Sequence, residues 1–258
     1  METGLRDKAV LVTGASRGIG NAIARAFTAE GARVAATYHS HREPAEEAGE
    51  LAVQLDLTRP ETVADVVAAV IEQLGGLDVL VVNASRQPAV FHDHLEDQPA
   101  EELEEQVRFT LESTFKLVSA ALPSLRKAGT GRIVFMSSGV AEEGFPRFWE
   151  YATVKAGLAG LVRTLAWDAG RDGVLVNAIS TGLTLTDATL SRLDEAALEG
   201  IARQLPQQRI SRPEDVARLA VFLGSAANTS VTGEVIRDGT SNARTSLVVM
   251  NTDDLREQ

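Results

Sequence analysis

The chain has 258 residues, a formal net charge of −11 from 25 basic and 36 acidic side chains, 44% hydrophobic residues and no cysteine. Disulfide scaffolds and cysteine-ligated metal centres are thereby excluded, no apolar run approaches the roughly 20 residues that cross a bilayer, and the acidic balance argues against nucleic acid as a partner. Residues 1–10 lack the basic-then-apolar order of a secretory leader, so the expectation is a cytoplasmic chain with room for one large domain or two small ones. The first β-branched run, at 8–13, leads straight into Thr13-Gly14-Ala15-Ser16-Arg17-Gly18-Ile19-Gly20 and then a helical stretch. Similar runs follow at 33–37, 51–55, 77–82, 131–136, 173–179 and 234–238, short and near-continuous, as expected of strands buried on both faces. Between them, Leu103, Val107, Leu111, Phe115, Val118 and Leu122 are spaced as one apolar helix stripe that begins among Glu101, Glu102, Glu104 and Glu105, where the helix dipole favours acids. Residues 151–167 read as a further helix, and Ser211-Arg212-Pro213-Glu214 as a capping box opening another. Strand and helix alternate about seven times without linker or repeat, which predicts a single doubly wound α/β domain over 1–240, its parallel sheet covered by helices on both faces. Only residues 183–210 and the tail 241–258 depart from this rhythm.

Glycines at the first strand-to-helix turn allow a tight turn and close approach to a pyrophosphate, and the helix N-terminus adds N–H donors and positive potential. Tyr151 and Lys155, four apart, share a helix face, so an ammonium adjoins a phenol whose pKa of about 10 it is expected to lower. Ser138 ends the fifth run, at the carboxyl edge where open α/β sheets bind ligands.

The glycine spacing is TGxxxGxG, Ser138 lies thirteen residues before Tyr151-x-x-x-Lys155, and Leu55-Asp56-Leu57-Thr58, Val82-Asn83-Ala84-Ser85, Val231-Thr232-Gly233 and Asp238-Gly239 follow in register. In these segments the chain resembles the short-chain dehydrogenase/reductase family over residues 5–240. The resemblance implies a Rossmann-like domain of about seven strands that binds a nicotinamide dinucleotide. Gly14, Ser16, Arg17, Gly18, Ile19, Gly20, Asp56, Leu57, Asn83, Tyr151, Lys155 and Thr186 are then cofactor-binding positions, with Asp56 at the adenine and Thr186 at the nicotinamide carboxamide. It further implies that Ser138 hydrogen-bonds the substrate oxygen, Tyr151 exchanges its proton, and Lys155 binds ribose hydroxyls and tunes the tyrosine. Enzymes selective for NAD place an acid at the end of the second strand; here Thr37-Tyr38-His39-Ser40-His41-Arg42 has none before Glu43, and Arg17 with His39 or Arg42 offers positive charge, so NADP(H) is favoured over NAD(H).

Three positions depart from the family pattern. Thr110 stands where the family carries a catalytic Asn that holds a relay water; its hydroxyl can bind water but lacks an amide, so a slower relay is expected. Val82 and Ser85 replace an Asn and a Gly, and Thr181 replaces a Pro, leaving a less rigid loop start. Residues 144–149 and 183–205 are expected to line the substrate pocket, with Phe145, Phe148 and Trp149 as apolar walls or as core. The leading reading is an NADP(H)-dependent reductase of a ketone, or dehydrogenase of the matching secondary alcohol, acting on a small molecule. The alternatives are a cofactor-binding relative without turnover, serving as sensor or assembly partner, and a 3-oxoacyl-carrier-protein reductase, ranked lower because the acidic chain lacks a basic cluster for an acidic carrier. His92-Asp93-His94 is assigned no metal, and no GxxxxGK(S/T) loop is present. The resemblance also implies a homodimer or homotetramer through the helices that begin near 101 and 151; the tail, with Leu247-Val248-Val249-Met250, lies outside it and is open to packing on a neighbour, covering the active site or fraying.

Overall fold

The computed structural model describes residues 2–88 and 90–239; the tail expectations for 241–258 lie outside the described residues. Each predicted run forms a strand: β1 (Ala9–Val12), β2 (Arg33–Tyr38), β3 (Leu51–Gln54), β4 (Val79–Val82), β5 (Arg132–Ser138), β6 (Leu175–Thr181) and β7 (Val235–Arg237). They pair in the order β3-β2-β1-β4-β5-β6-β7, every pair parallel. The helices among the described residues are α1 (Gly18–Ala29), α2 (Glu43–Glu46), α3 (Val63–Leu74), α4 (Ala100–Gln106), α5 (Ser113–Ala128), α6 (Val140–Glu143), α7 (Trp149–Ala169), α8 (Asp187–Leu190), α9 (Glu195–Ala202) and α10 (Pro213–Leu223).

Strand alternation divides the core into two layers. Val10, Val12, Val79 and Val81 pack with Ile23 and Phe27 of α1 and Val216 and Ala220 of α10. Leu11, Leu80 and Val82 face the other way, onto Val67 and Val70 of α3, Leu117 and Val118 of α5 and Leu158 and Val162 of α7. Both faces are covered, which is why these strands read as continuous apolar runs; each large buried side chain contributes roughly 1.5–3 kcal/mol by leaving water. The order reverses at β1 and β4, so the crevice for a ligand opens beyond their carboxyl ends.

Three local expectations are corrected. The stripe from Leu103 to Leu122 is not the buried face, because α4 runs into a π segment, Val107–Glu112, before α5. The wider turn rotates the helix register, so Gln106, Thr110, Ser113 and Thr114 turn inward while Leu103, Val107 and Phe115 are left exposed. At α10 the N-cap is Arg212, whose N–H donates to the Asp215 carboxylate at 2.9 Å; Ser211 instead bridges to Thr184, outside the helix. Thr181 does not loosen its loop: it extends β6 opposite Ser138 and donates to the Ser137 carbonyl at 3.3 Å. Beyond it, residues 183–210 fold α8 and α9 around a small cluster of Ile201, Leu205 and Ile210. No helix among the described residues is long and apolar enough to cross a membrane.

Candidate active site

The glycine loop joins β1 to α1 and is fixed from two sides. Gly14 donates its N–H to Thr37 Oγ1 at 3.1 Å and Ala15 to the Thr37 carbonyl at 2.7 Å, tying the loop to β2. The Asn83 side chain donates to the carbonyls of Thr13 (2.9 Å) and Gly14 (3.2 Å), tying it to β4. Two of the glycines are required by geometry. Gly14 has φ +65° with Ala84 packed against it, and a Cβ on Gly20 would strike the Gly14 carbonyl and the Asn83 amide. The resulting cradle of backbone lies at the N-terminus of α1, beside Ser16, Arg17, Gly18 and Ile19, and fits a pyrophosphate. Asn83 therefore braces this cradle from below. Thr186 closes it from above, its methyl lying 3.3 Å from where a Cβ on Gly18 would sit, while its hydroxyl caps α8.

The charged positions gather next to this loop, at the ends of β2 and β3. Asp56 accepts from the N–H and hydroxyl of Thr58, at 2.9 and 2.7 Å, and these bonds hold its carboxyl below the usual carboxylate range. His39 lies 3.8 Å from Asp56, and Arg42 is paired with Glu46 at 2.7 Å. Arg17 is exposed and makes no ion pair among the described residues. Leu57 buries its side chain in the core, leaving only its backbone to meet a ligand.

Tyr151 and Lys155 occupy the first turns of α7, across from Ser138 at the end of β5, and all three are buried. The phenol lies near the hydroxyls of Ser138 and Ser85, both of which favour its ionised form. Contrary to the sequence expectation, its pKa is raised: burial disfavours the phenolate more than the two hydroxyls stabilise it. Lys155 does not reverse this. Its ammonium donates to the Met136 carbonyl at 2.8 Å and stands 5.7 Å from the Tyr151 ring centre, and burial lowers its own pKa to about 8. At neutral pH the site holds a protonated phenol beside a largely protonated amine.

Thr110 is buried, but its hydroxyl donates to Gln106 at 3.5 Å rather than to Lys155, and Gln106 donates on to the Arg86 carbonyl at 2.8 Å. Ser85 escaped the sequence reading as a partner of the phenol; it was visible only as a substitution after β4, and its direction depends on how β4 and α7 meet. A cavity of about 410 Å³ lies at the start of α7, walled by Leu95, Gln98, Leu103, Phe145, Phe148 and Trp149; Ser138, Tyr151 and Lys155 do not line it. One oxygen of the buried Glu150 carboxylate, at its floor, has no hydrogen-bond partner. His92 and Asp93 are engaged by Glu102 (3.0 Å) and Arg147 (3.6 Å).

Comparison with known proteins agrees with this geometry. A family model described as enoyl-(acyl carrier protein) reductase matches residues 14–238. The 3-oxoacyl-acyl-carrier-protein reductase FabG of Vibrio cholerae is 34% identical over 238 residues, 90% of this chain and 96% of that protein. The corresponding reductase MabA of Mycobacterium bovis is 33% identical over 229 residues, 89% and 90% of the two chains. Among solved structures, a 7α-hydroxysteroid dehydrogenase complexed with NADH and 7-oxo glycochenodeoxycholic acid superposes with a TM-score of 0.82 at 28% identity, covering 92% of this chain and 94% of that one. A match that runs from the glycine loop to the last strand, at nearly full length in both directions, means that the chain belongs to the short-chain dehydrogenase/reductase family and is one of its NAD(P)-dependent oxidoreductases of the CH–OH class.

Proposed function

We propose that the protein is an NADP(H)-dependent reductase of a small-molecule ketone, or dehydrogenase of the matching secondary alcohol. The observation that carries this reading is the buried set of Ser138, Tyr151 and Lys155, with a phenol kept protonated and therefore ready to act as an acid. A nicotinamide bound along the glycine cradle supplies or accepts the hydride. Ser138 donates to the carbonyl oxygen and orients it. Tyr151 delivers its proton to that oxygen in reduction, and the Lys155 ammonium stabilises the phenolate left behind and holds ribose hydroxyls. Ser85 adds a second hydroxyl to the same phenolate.

The preference for NADP(H) rests on charge. No carboxylate ends β2 to repel a 2′-phosphate, and Arg17 stands exposed beside the cradle, with His39 and Arg42 flanking it. Arg42, already paired to Glu46, is the lesser contributor. A 3-oxoacyl-carrier-protein reductase is the second reading, favoured by the activity named for FabG and MabA. It ranks below a free ketone because the chain is acidic overall, at −11, and Arg126 is held by Asp168 and Asp172 of the same chain, which weakens the attraction for an acidic carrier. A homodimer or homotetramer is supported by Leu103, Val107, Phe115 and Trp167, large apolar side chains left exposed on α4, the π segment, α5 and α7. A cysteine-free chain suits the cytoplasm, where this work is placed.

The test is a cofactor-consumption screen with NADPH and NADH over ring ketones, open-chain ketones and 3-oxoacyl thioesters, with Tyr151→Phe as control. Turnover with NADPH that the variant loses, while it still binds NADPH, is the expected result. Binding without turnover across the panel would overturn the reductase reading in favour of a sensor or assembly role.

A further inference from the structure

We propose that Arg147 is a specificity-determining positioning residue: it clamps residues 91–93 onto the loop before α7 and so builds a rigid aromatic wall beside Tyr151, shaped for a ketone carried on a flat apolar ring. The inference rests on the carbonyl-reductase reading above and names the substrate class of that site.

The first sign is backbone conformation. Arg147 has φ +70°, in the left-handed region that a residue with a Cβ adopts only when its surroundings compel it. The side chain's contacts compel it. The guanidinium donates to the Phe91 carbonyl at 2.7 Å and to the His92 carbonyl at 3.3 Å, lies 3.6 Å from the Asp93 carboxylate, and stacks 5.8 Å from the Phe91 ring centre. One side chain thus holds three successive residues of a segment 55 positions away in sequence. On the other side, His92 meets Glu102 of α4 at 3.0 Å, so the strap is held at both edges.

The rings pass this restraint to the chemistry. Phe91 lies 5.1 Å from Phe148, which meets Phe145 edge-on at 5.2 Å and Tyr151 at 6.0 Å and 74°. Phe148 therefore touches both the clamped strap and the catalytic phenol. A wall whose rings are already fixed gains most from a rigid, flat ligand that loses little freedom on binding, and least from a flexible chain that must be ordered against it. Arginine suits the clamp because its planar fork can serve two carbonyls and a carboxylate together, whereas lysine offers a single point charge.

The experiment uses the full chain with 1-tetralone as the ring ketone and 2-octanone as the open-chain ketone. Arg147→Gly removes the clamp and relieves the positive φ, so it preserves the fold; Arg147→Lys keeps charge and part of the hydrogen bonding. The expected result for Arg147→Gly is KM for 1-tetralone raised about tenfold with kcat within about twofold, and KM for 2-octanone and Kd for NADPH unchanged; Arg147→Lys falls between. Amide hydrogen exchange at residues 91–94 should rise in Arg147→Gly. Unchanged KM for 1-tetralone, an equal rise for both ketones, or a joint loss of kcat, cofactor affinity and Tm would overturn the proposal. If the wild type reduces neither ketone, the substrate class falls with the reductase reading, while unaltered exchange at 91–94 would separately overturn the clamp.

Discussion

Replacing Lys155 by Met should make the protein more stable at neutral pH while removing its activity. Burial lowers the amine from 10.5 to about 8, so below that pH the folded state carries a charge that the unfolded chain hydrates better. At about 1.4 kcal/mol per unit, the cost is about 3 kcal/mol near pH 7. Loss of the 2.8 Å bond to the Met136 carbonyl offsets about 1 kcal/mol, leaving the variant about 2 kcal/mol more stable. The sign of the pH dependence follows from proton counts. Between about pH 8 and 10.5 the unfolded chain binds a proton that the folded state does not, so wild-type stability rises with pH. Tyr151 contributes little at pH 9.5, because its unfolded-chain pKa is about 10 and its folded pKa is raised, and it is present in both proteins compared. Urea unfolding at fixed protein concentration, near pH 7 and near pH 9.5, should show the wild type gaining about 2 kcal/mol relative to Lys155→Met. An unchanged difference between the two pH values would show that the amine is not desolvated, and a variant less stable near pH 7 would refute the balance drawn here.

Three further outcomes are expected. The kcat for ketone reduction should hold steady below about pH 8 and fall above it as Lys155 loses the charge that stabilises the phenolate; a rate that rises through this range would assign the lysine a different role. Gly20→Ala should destabilise by about 2 kcal/mol in urea unfolding and weaken NADPH binding, because its Cβ strikes the Gly14 carbonyl and the Asn83 amide, outweighing the usual helical gain of alanine over glycine. Thr110→Asn should raise kcat about threefold if the threonine slows proton return; no gain, or a loss, would show that the Thr110–Gln106 pair is the adapted arrangement.

Much of the site was legible because it is local. The strand-turn-helix around Gly14, Gly18 and Gly20, and the Tyr151-x-x-x-Lys155 spacing on one helix face, need only short-range geometry, and the seven apolar runs need only a sheet buried on both sides. What misled was equally specific. The apolar spacing from Leu103 to Leu122 assumes one unbroken α-helix, and a single π segment turns half of that stripe outward. The tyrosine's neighbouring ammonium implies a lowered pKa, yet the fold points Lys155 at the Met136 carbonyl and buries the phenol.

By itself, the sequence determined the α/β class and the glycine turn after β1, since these follow from residue types at fixed short spacings, and it offered Ser138, Tyr151 and Lys155 as the candidate set through the family resemblance. Tertiary structure alone decided that Ser85 comes near the phenol, that Asn83 braces the cradle, and that Arg147 grips 91–93. Each of these joins segments far apart in the chain, and burial, which sets the charge state of Tyr151 and Lys155, is a property of how those segments close over one another.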